Sequence, residues 1–145
     1  SMNELVREWV EKAEGDVRTA EREVCVTEEP NWDAVCFHAQ QAVEKYLKAA
    51  LQLKEIPFSR THDLAALLQP LIVEQEEWGR FGDSVEWLSA FAVEVRYPGE
   101  VSTGEAAVKA VEIMRELRRN LRSYLQVDDT GKKKDENPEE SKSDT

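Results

Sequence analysis

The chain has 145 residues, enough for one domain with a buried core, and its 30 acidic and 19 basic residues give a formal net charge of −11. This excess of acids argues against broad, non-specific binding to nucleic acid, which needs an extended basic surface. No apolar run reaches the roughly 18 residues of a membrane span, and the N-terminus is too polar for a signal peptide, so we expect a cytoplasmic protein without membrane contact.

The first predicted helix covers residues 4–26, where apolar residues recur at helical spacing. Asp16 lies beside that apolar stripe. It is either a boundary residue that reaches solvent or a partly buried carboxylate with a cationic partner, because an unpaired buried charge is costly. Cys25, near the end of this helix, and Cys36 lack zinc-ligand spacing, so we expect two buried free thiols, no metal and no cofactor.

The second predicted helix, residues 32–53, is the longest strongly periodic stretch without Gly or Pro. Its broad apolar face predicts a central helix with neighbours on more than one side. Its opposite face carries a stripe of residues three or four positions apart, namely His38, Gln41, Lys45 and Lys48. These donors suit an anion or a nucleotide phosphate, although a merely solvated face is an alternative explanation.

The third helix is expected to begin at Thr61 as N-cap, and Pro70 should kink or shorten it. Arg60, His62 and Asp63 flank this helix start, and together with its exposed N–H groups they could form an anion site. The alternative is a simple capping turn in which His62 packs.

The fourth helix is predicted to begin at Asp83 or Ser84 and to end at Arg96-Tyr-Pro-Gly. Arg96 either benefits only from the helix dipole or points into a groove, held by Asp16 or Glu44.

A capping box from Ser102 to Glu105 opens the fifth predicted helix. That helix carries a basic stripe, which is more typical of a solvated C-terminal face than of a binding site. The stripe consists of Arg115, Arg118, Arg119 and Arg122. Residues 128–145 are charged and lack apolar side chains, which predicts a disordered tail after a helical domain of residues 1–127. The expected fold is all-α, an antiparallel up-and-down bundle of four to five helices.

Three segments together resemble the HEPN family (higher eukaryotes and prokaryotes nucleotide-binding domain). They are FHAQQAVEKYLK at 37–48, THDL at 61–64 and RYP at 96–98. The resemblance covers about residues 3–126 and implies a helical bundle that commonly pairs as a homodimer. It also implies a protein partner, because prokaryotic HEPN proteins often act with a minimal nucleotidyltransferase in toxin–antitoxin or stress and defence pairs. Phe37 and Leu51, which the apolar face of the second helix does not include, are the candidate dimer contacts.

Many HEPN domains are metal-independent endoribonucleases, and the resemblance ties that activity to an arginine, four to six further residues and then a histidine. Here the histidines are His38 and His62, and the corresponding arginine positions, 31–33 and 55–57, hold other residues. Arg96 has no histidine in range after it. The general acid/base arrangement of that activity is therefore missing from the sequence.

The leading interpretation is a non-catalytic, dimeric module that binds a nucleotide or a similar anion or has a regulatory role. Its expected protein partner is a minimal nucleotidyltransferase. Its ligand groove would combine cations that neutralise phosphate with a tyrosine that stacks on a base. The expected ligand residues are His38, Gln41, Lys45, Lys48, Arg60, His62, Asp63, Arg96 and Tyr97. One alternative is an endoribonuclease toxin that acts on RNA through Arg96 and His62, and another is a protein-interaction scaffold without a small ligand.

Overall fold

The structure is a computed structural model and describes residues 3–93 and 97–127. Its elements are α1 (Glu4–Val24), α2 (Trp32–Leu53), α3 (Leu64–Ile72), a 3₁₀ helix (Glu76–Phe81), α4 (Gly82–Ser89) and α5 (Gly104–Leu125). The predicted all-α antiparallel bundle is thereby confirmed. The predicted tail, residues 128–145, lies outside the described residues.

Helix α2 is the centre of the bundle and packs against α1, α3, α4 and α5. Its apolar arc is buried on several sides, as the sequence predicts. Leu51 is part of that buried surface, fully excluded from solvent, so its assignment as a dimer contact is wrong. Phe37 is half-buried, and its ring meets the edge of His38 at a centroid distance of 5.1 Å.

Side-chain caps fix where the helices begin. Asp63 caps α3, because its carboxylate accepts hydrogen bonds from the N–H groups of Ala65 and Ala66 at 3.1 and 3.3 Å. The predicted N-cap, Thr61, instead accepts from the N–H of Asp63, one step outside the helix. Helix α5 is similarly capped by Thr103, one residue after the predicted Ser102.

The segment between α3 and α5 departs most from the sequence prediction. Helix α3 ends at Ile72, two residues after Pro70, in agreement with a short helix. The 3₁₀ helix was not expected, and α4 ends at Ser89 rather than at Arg96. Arg96 itself lies outside the described residues. Cys25, expected to be buried, is exposed, whereas Cys36 is buried. Among the described helices, none has the length and apolarity needed to cross a membrane.

Candidate functional site

The polar stripe of α2 packs against α1 instead of facing open solvent. Asp16 on α1 is only 8% exposed, and its two carboxylate oxygens lie 2.7 Å from Nδ1 of His38 and 2.5 Å from Nζ of Lys45. The interpretation of Asp16 as a buried carboxylate with cationic partners is therefore confirmed. Because Nδ1 of His38 is held by Asp16, the other ring nitrogen, Nε2, points away from the carboxylate.

A second carboxylate, Glu44, organises the next part of the stripe. It accepts hydrogen bonds from Nζ of Lys48 at 3.0 Å and from Nε2 of Gln40 at 3.2 Å, and Nδ1 of His62 lies 2.8 Å away. Burial alone would raise the pKa of Glu44, but the hydrogen bonds from His62, Lys48 and Gln40 outweigh it and lower the pKa below its usual value. Glu44 is therefore an ionised, buried anchor for these side chains.

Lys48 is a structural cation in this arrangement. It is 7% exposed, and Nζ lies 5.5 Å from the ring centroid of Trp9 in addition to its contact with Glu44. A lysine enclosed by a carboxylate and an indole ring is less accessible to a ligand than Lys45, whose side chain is 22% exposed.

The segment before α3 is attached to α2 through His62. Its backbone carbonyl accepts from Nε2 of Gln40 at 3.2 Å, and its imidazole reaches Glu44 while its side chain stays 65% exposed. In the first turn of α3, however, the N–H groups of Ala65 and Ala66 already donate to Asp63, and that of Leu64 donates to the hydroxyl of Ser89. The predicted anion site at this helix start thus keeps the exposed side chains of Arg60 and His62 but not the donors of Ala65 and Ala66.

Two amides extend the Glu44 cluster. Nε2 of Gln41 donates to Oε1 of Gln40 at 2.7 Å, and Gln40 in turn bonds Glu44 and His62. We call the accessible groups beside Asp16 and Glu44 the α2 polar face. Its members are the partly exposed His38, Gln41 and Lys45 and the exposed His62.

The remaining predicted ligand residues lie apart from these contacts. Tyr97 is 72% exposed on the loop before α5, and Arg96 is not described. Asp16 and Glu44, considered as anchors for Arg96, have the side chains of α2 and His62 as their partners in the described part of the chain. Among residues 3–93 and 97–127 no group of three His, Cys, Asp or Glu side chains could hold a metal ion.

Sequence reasoning missed a third paired carboxylate, the partly buried Glu14. Arg118 binds it through Nε and Nη2, both at 2.8 Å, and the hydroxyl of Tyr46 also donates to it. Burial would raise the pKa of Glu14, but the hydrogen bonds from Arg118 and Tyr46 lower it overall, and burial together with Glu14 raises the pKa of Tyr46. Tyr46 falls on the apolar face by its spacing, which gives no signal that its hydroxyl is part of a charged network.

Comparisons with known proteins agree with this architecture. The chain matches the model of the HEPN domain family over residues 6–124. It is similar in fold to the crystal structure of ST0689, an archaeal HEPN homologue, with a TM-score of 0.66 and 20% sequence identity over 82% of this chain and 96% of that chain. No curated protein gives a significant match. Because the family match spans α1 to α5 and includes the whole α2 polar face, this protein belongs to the HEPN family.

Proposed function

We propose that this protein is a non-catalytic HEPN module that binds a nucleotide or a similar anionic ligand at the α2 polar face. We further propose that it acts as a homodimer beside a minimal nucleotidyltransferase, in a toxin–antitoxin or stress and defence pair. The observation that supports ligand binding best is the fixed orientation of two partly exposed imidazoles, each held through Nδ1 by a buried carboxylate.

The charges of the α2 polar face favour an anion when the imidazoles are protonated. Asp16 is matched by Lys45 and Glu44 by Lys48, so the lysines and carboxylates balance. The net charge of the face is then set by His38 and His62, whose Nε2 atoms are available as donors to a phosphate oxygen. Prepositioned side chains also lose little conformational freedom on binding, which favours affinity.

The test is the melting temperature of the purified protein with ATP or GTP at millimolar concentration. A ligand that binds the native state raises the melting temperature, and His62→Ala should remove most of that rise. His62 suits this test because its exposed side chain can be lost while Glu44 keeps Lys48 and Gln40. Lys54→Ala, at the C-cap of the same helix, is the control and should leave the rise unchanged. Without any rise, the scaffold alternative gains support.

A ribonuclease activity is the second candidate, and the two carboxylate–imidazole pairs favour it. A carboxylate on Nδ1 fixes the tautomer and the orientation of a histidine that transfers protons through Nε2. The assay is RNA cleavage in the presence of EDTA. Cleavage that is abolished by both His62→Ala and His38→Asn would establish this alternative and overturn the non-catalytic proposal.

A further inference from the structure

A second candidate site lies between α1 and α5, away from the α2 polar face. A cavity of about 520 Å³ is lined there by Val17 and Glu21 of α1 and by the arginine stripe of α5. Its size falls within the range of about 300–1,000 Å³ that is usual for small-ligand sites. Ser123 and Val127 complete the wall at the end of α5. We call this cavity the arginine pocket.

The arginine pocket contains more cations than its neighbouring carboxylates neutralise. Arg115 binds Glu21 through two hydrogen bonds of 2.7 and 2.6 Å. Arg118 binds Glu14 in the same bidentate way, and Arg122 shares that carboxylate at a longer distance of 3.6 Å. Arg119 has no ion pair within the described residues. Four guanidinium groups therefore face two carboxylates, in a chain whose net charge is −11.

Arg122 provides an independent observation. Its side chain is 6% exposed, and Nη1 donates to the hydroxyl of Tyr46 at 3.0 Å. Its other terminal nitrogen, Nη2, is buried and has no hydrogen-bond partner among residues 3–93 and 97–127. Leaving a buried charged donor unpaired is costly, so such groups in native proteins usually serve an interaction beyond the internal network.

The helix dipole is the simpler explanation for arginines near the end of α5, and it accounts for only part of the arrangement. The dipole stabilises cations within the last turn, where Arg122 is the basic residue, so it does not bear on Arg115, which lies well before the end of α5. The dipole does not explain why Arg122 is buried with one donor that has no partner in the described part of the chain, because burial carries a desolvation cost that a solvated arginine avoids.

We propose that the arginine pocket binds the phosphate group of a small ligand as its dianion. The four guanidinium groups exceed the two carboxylates by two positive charges, which match the charge of a phosphate monoester, and the planar donor edges of guanidinium groups match its oxygens. The apolar side chains of Val17 and Val127 offer a surface for the uncharged part of such a ligand. The inference is independent of the proposed function, because none of the pocket's lining residues belongs to the α2 polar face.

Isothermal titration calorimetry with inorganic phosphate tests the proposal, and AMP then shows whether a nucleoside adds affinity. We expect saturable binding that Arg119→Ala weakens roughly tenfold or more, the usual effect of removing one charged hydrogen-bond donor. Arg119 suits the test because it is exposed and leaves the internal ion pairs intact. Arg7→Ala removes the same charge from an exposed position on α1 and should change nothing. The absence of saturable binding up to about 20 mM phosphate, well above the roughly 1 mM dissociation constant of a weak ligand, would overturn the proposal.

The two sites are separated by crossing the variants. Phosphate binding that survives His62→Ala but is weakened by Arg119→Ala supports the arginine pocket. The reverse pattern overturns the pocket and leaves the α2 polar face as the anion site. Arg122→Lys is the second variant, since it keeps the charge but not the second donor edge, and its binding should also fall. Because arginine stays protonated, binding to the pocket should strengthen from pH 5.5 to pH 8 as the phosphate loses its second proton near pH ~6–7.

Discussion

The hydroxyl of Tyr46 is a single group whose removal tests the buried network between α1, α2 and α5. Tyr46 is 1% exposed, its hydroxyl donates to Glu14, and Nη1 of Arg122 donates to it at 3.0 Å. Burial and Glu14 raise the pKa of Tyr46, so the phenol remains a donor throughout the usual pH range. Tyr46→Phe keeps the ring in the core and removes only this link.

The expected cost of Tyr46→Phe follows from what each partner retains. Glu14 keeps its bidentate bond with Arg118, so it loses one of several donors. Among the described residues Arg122 keeps only Glu14 at 3.6 Å, so both of its terminal nitrogens become poorly satisfied there. With about 1.5–3 kcal/mol for a hydrogen bond to a charged group, we expect a loss of about 2–4 kcal/mol in the free energy of unfolding. For a domain of this size that corresponds to a fall of roughly 10 °C in melting temperature.

Urea unfolding followed by far-UV circular dichroism measures this loss. The slope of the free energy against urea should stay the same, because the surface exposed on unfolding is unchanged. Tyr97→Phe is the matched control: the same atom is removed from a side chain that is 72% exposed, and the change should stay within about 0.5 kcal/mol. If Tyr46→Phe costs no more than this control, the network does not stabilise the bundle as argued.

Three further predictions concern other parts of the bundle. Folding lowers the pKa values of Glu14 and Glu44, so their contribution to stability is full above the ordinary value of 4.5 and is lost as the pH falls through the lower folded values. The free energy of urea unfolding should therefore decline below pH 4.5, and Glu44→Gln should reduce that decline. Asp63→Ala should cost about 1 kcal/mol in the same assay, and Thr61→Ala less, whereas the opposite order would restore Thr61 as the N-cap. Leu51→Ala should lower the free energy of unfolding by about 2–5 kcal/mol, and its oligomeric state, measured by analytical ultracentrifugation, should equal that of the unaltered protein.

The sequence predicts helices best where the signals are local. The bounds of α2, Trp32–Leu53, coincide with the predicted stretch, because a long periodic run without Gly or Pro lies between two breaks. Capping residues are harder to assign, since Thr61 and Asp63 are both able to cap and lie two positions apart. The contact of His62 with Glu44 attaches the preceding loop to α2, and the helix begins immediately after it, at Leu64 with Asp63 as its cap.

Helical spacing also predicts which side chains share a face, but not what packs against that face. His38, Lys45 and Lys48 do lie along one side of α2, as their spacing requires. The spacing cannot show that α1 covers this side and supplies Asp16 as the carboxylate partner of His38 and Lys45. The stripe predicted as a row of donors for an anion is therefore a face whose lysines are neutralised by Asp16 and Glu44 and whose accessible donors are mainly the imidazoles.

By itself the sequence determined that the chain is helical, where its central helix lies and which family its motifs resemble. Only the tertiary structure decided how the charges are paired. The bond between Asp16 and His38 joins residues 22 positions apart, and that between Glu14 and Arg118 joins residues 104 positions apart. Helix formation depends on neighbours within a turn or two, whereas these pairs form only when packing of the apolar faces brings distant carboxylates and cations into a desolvated space.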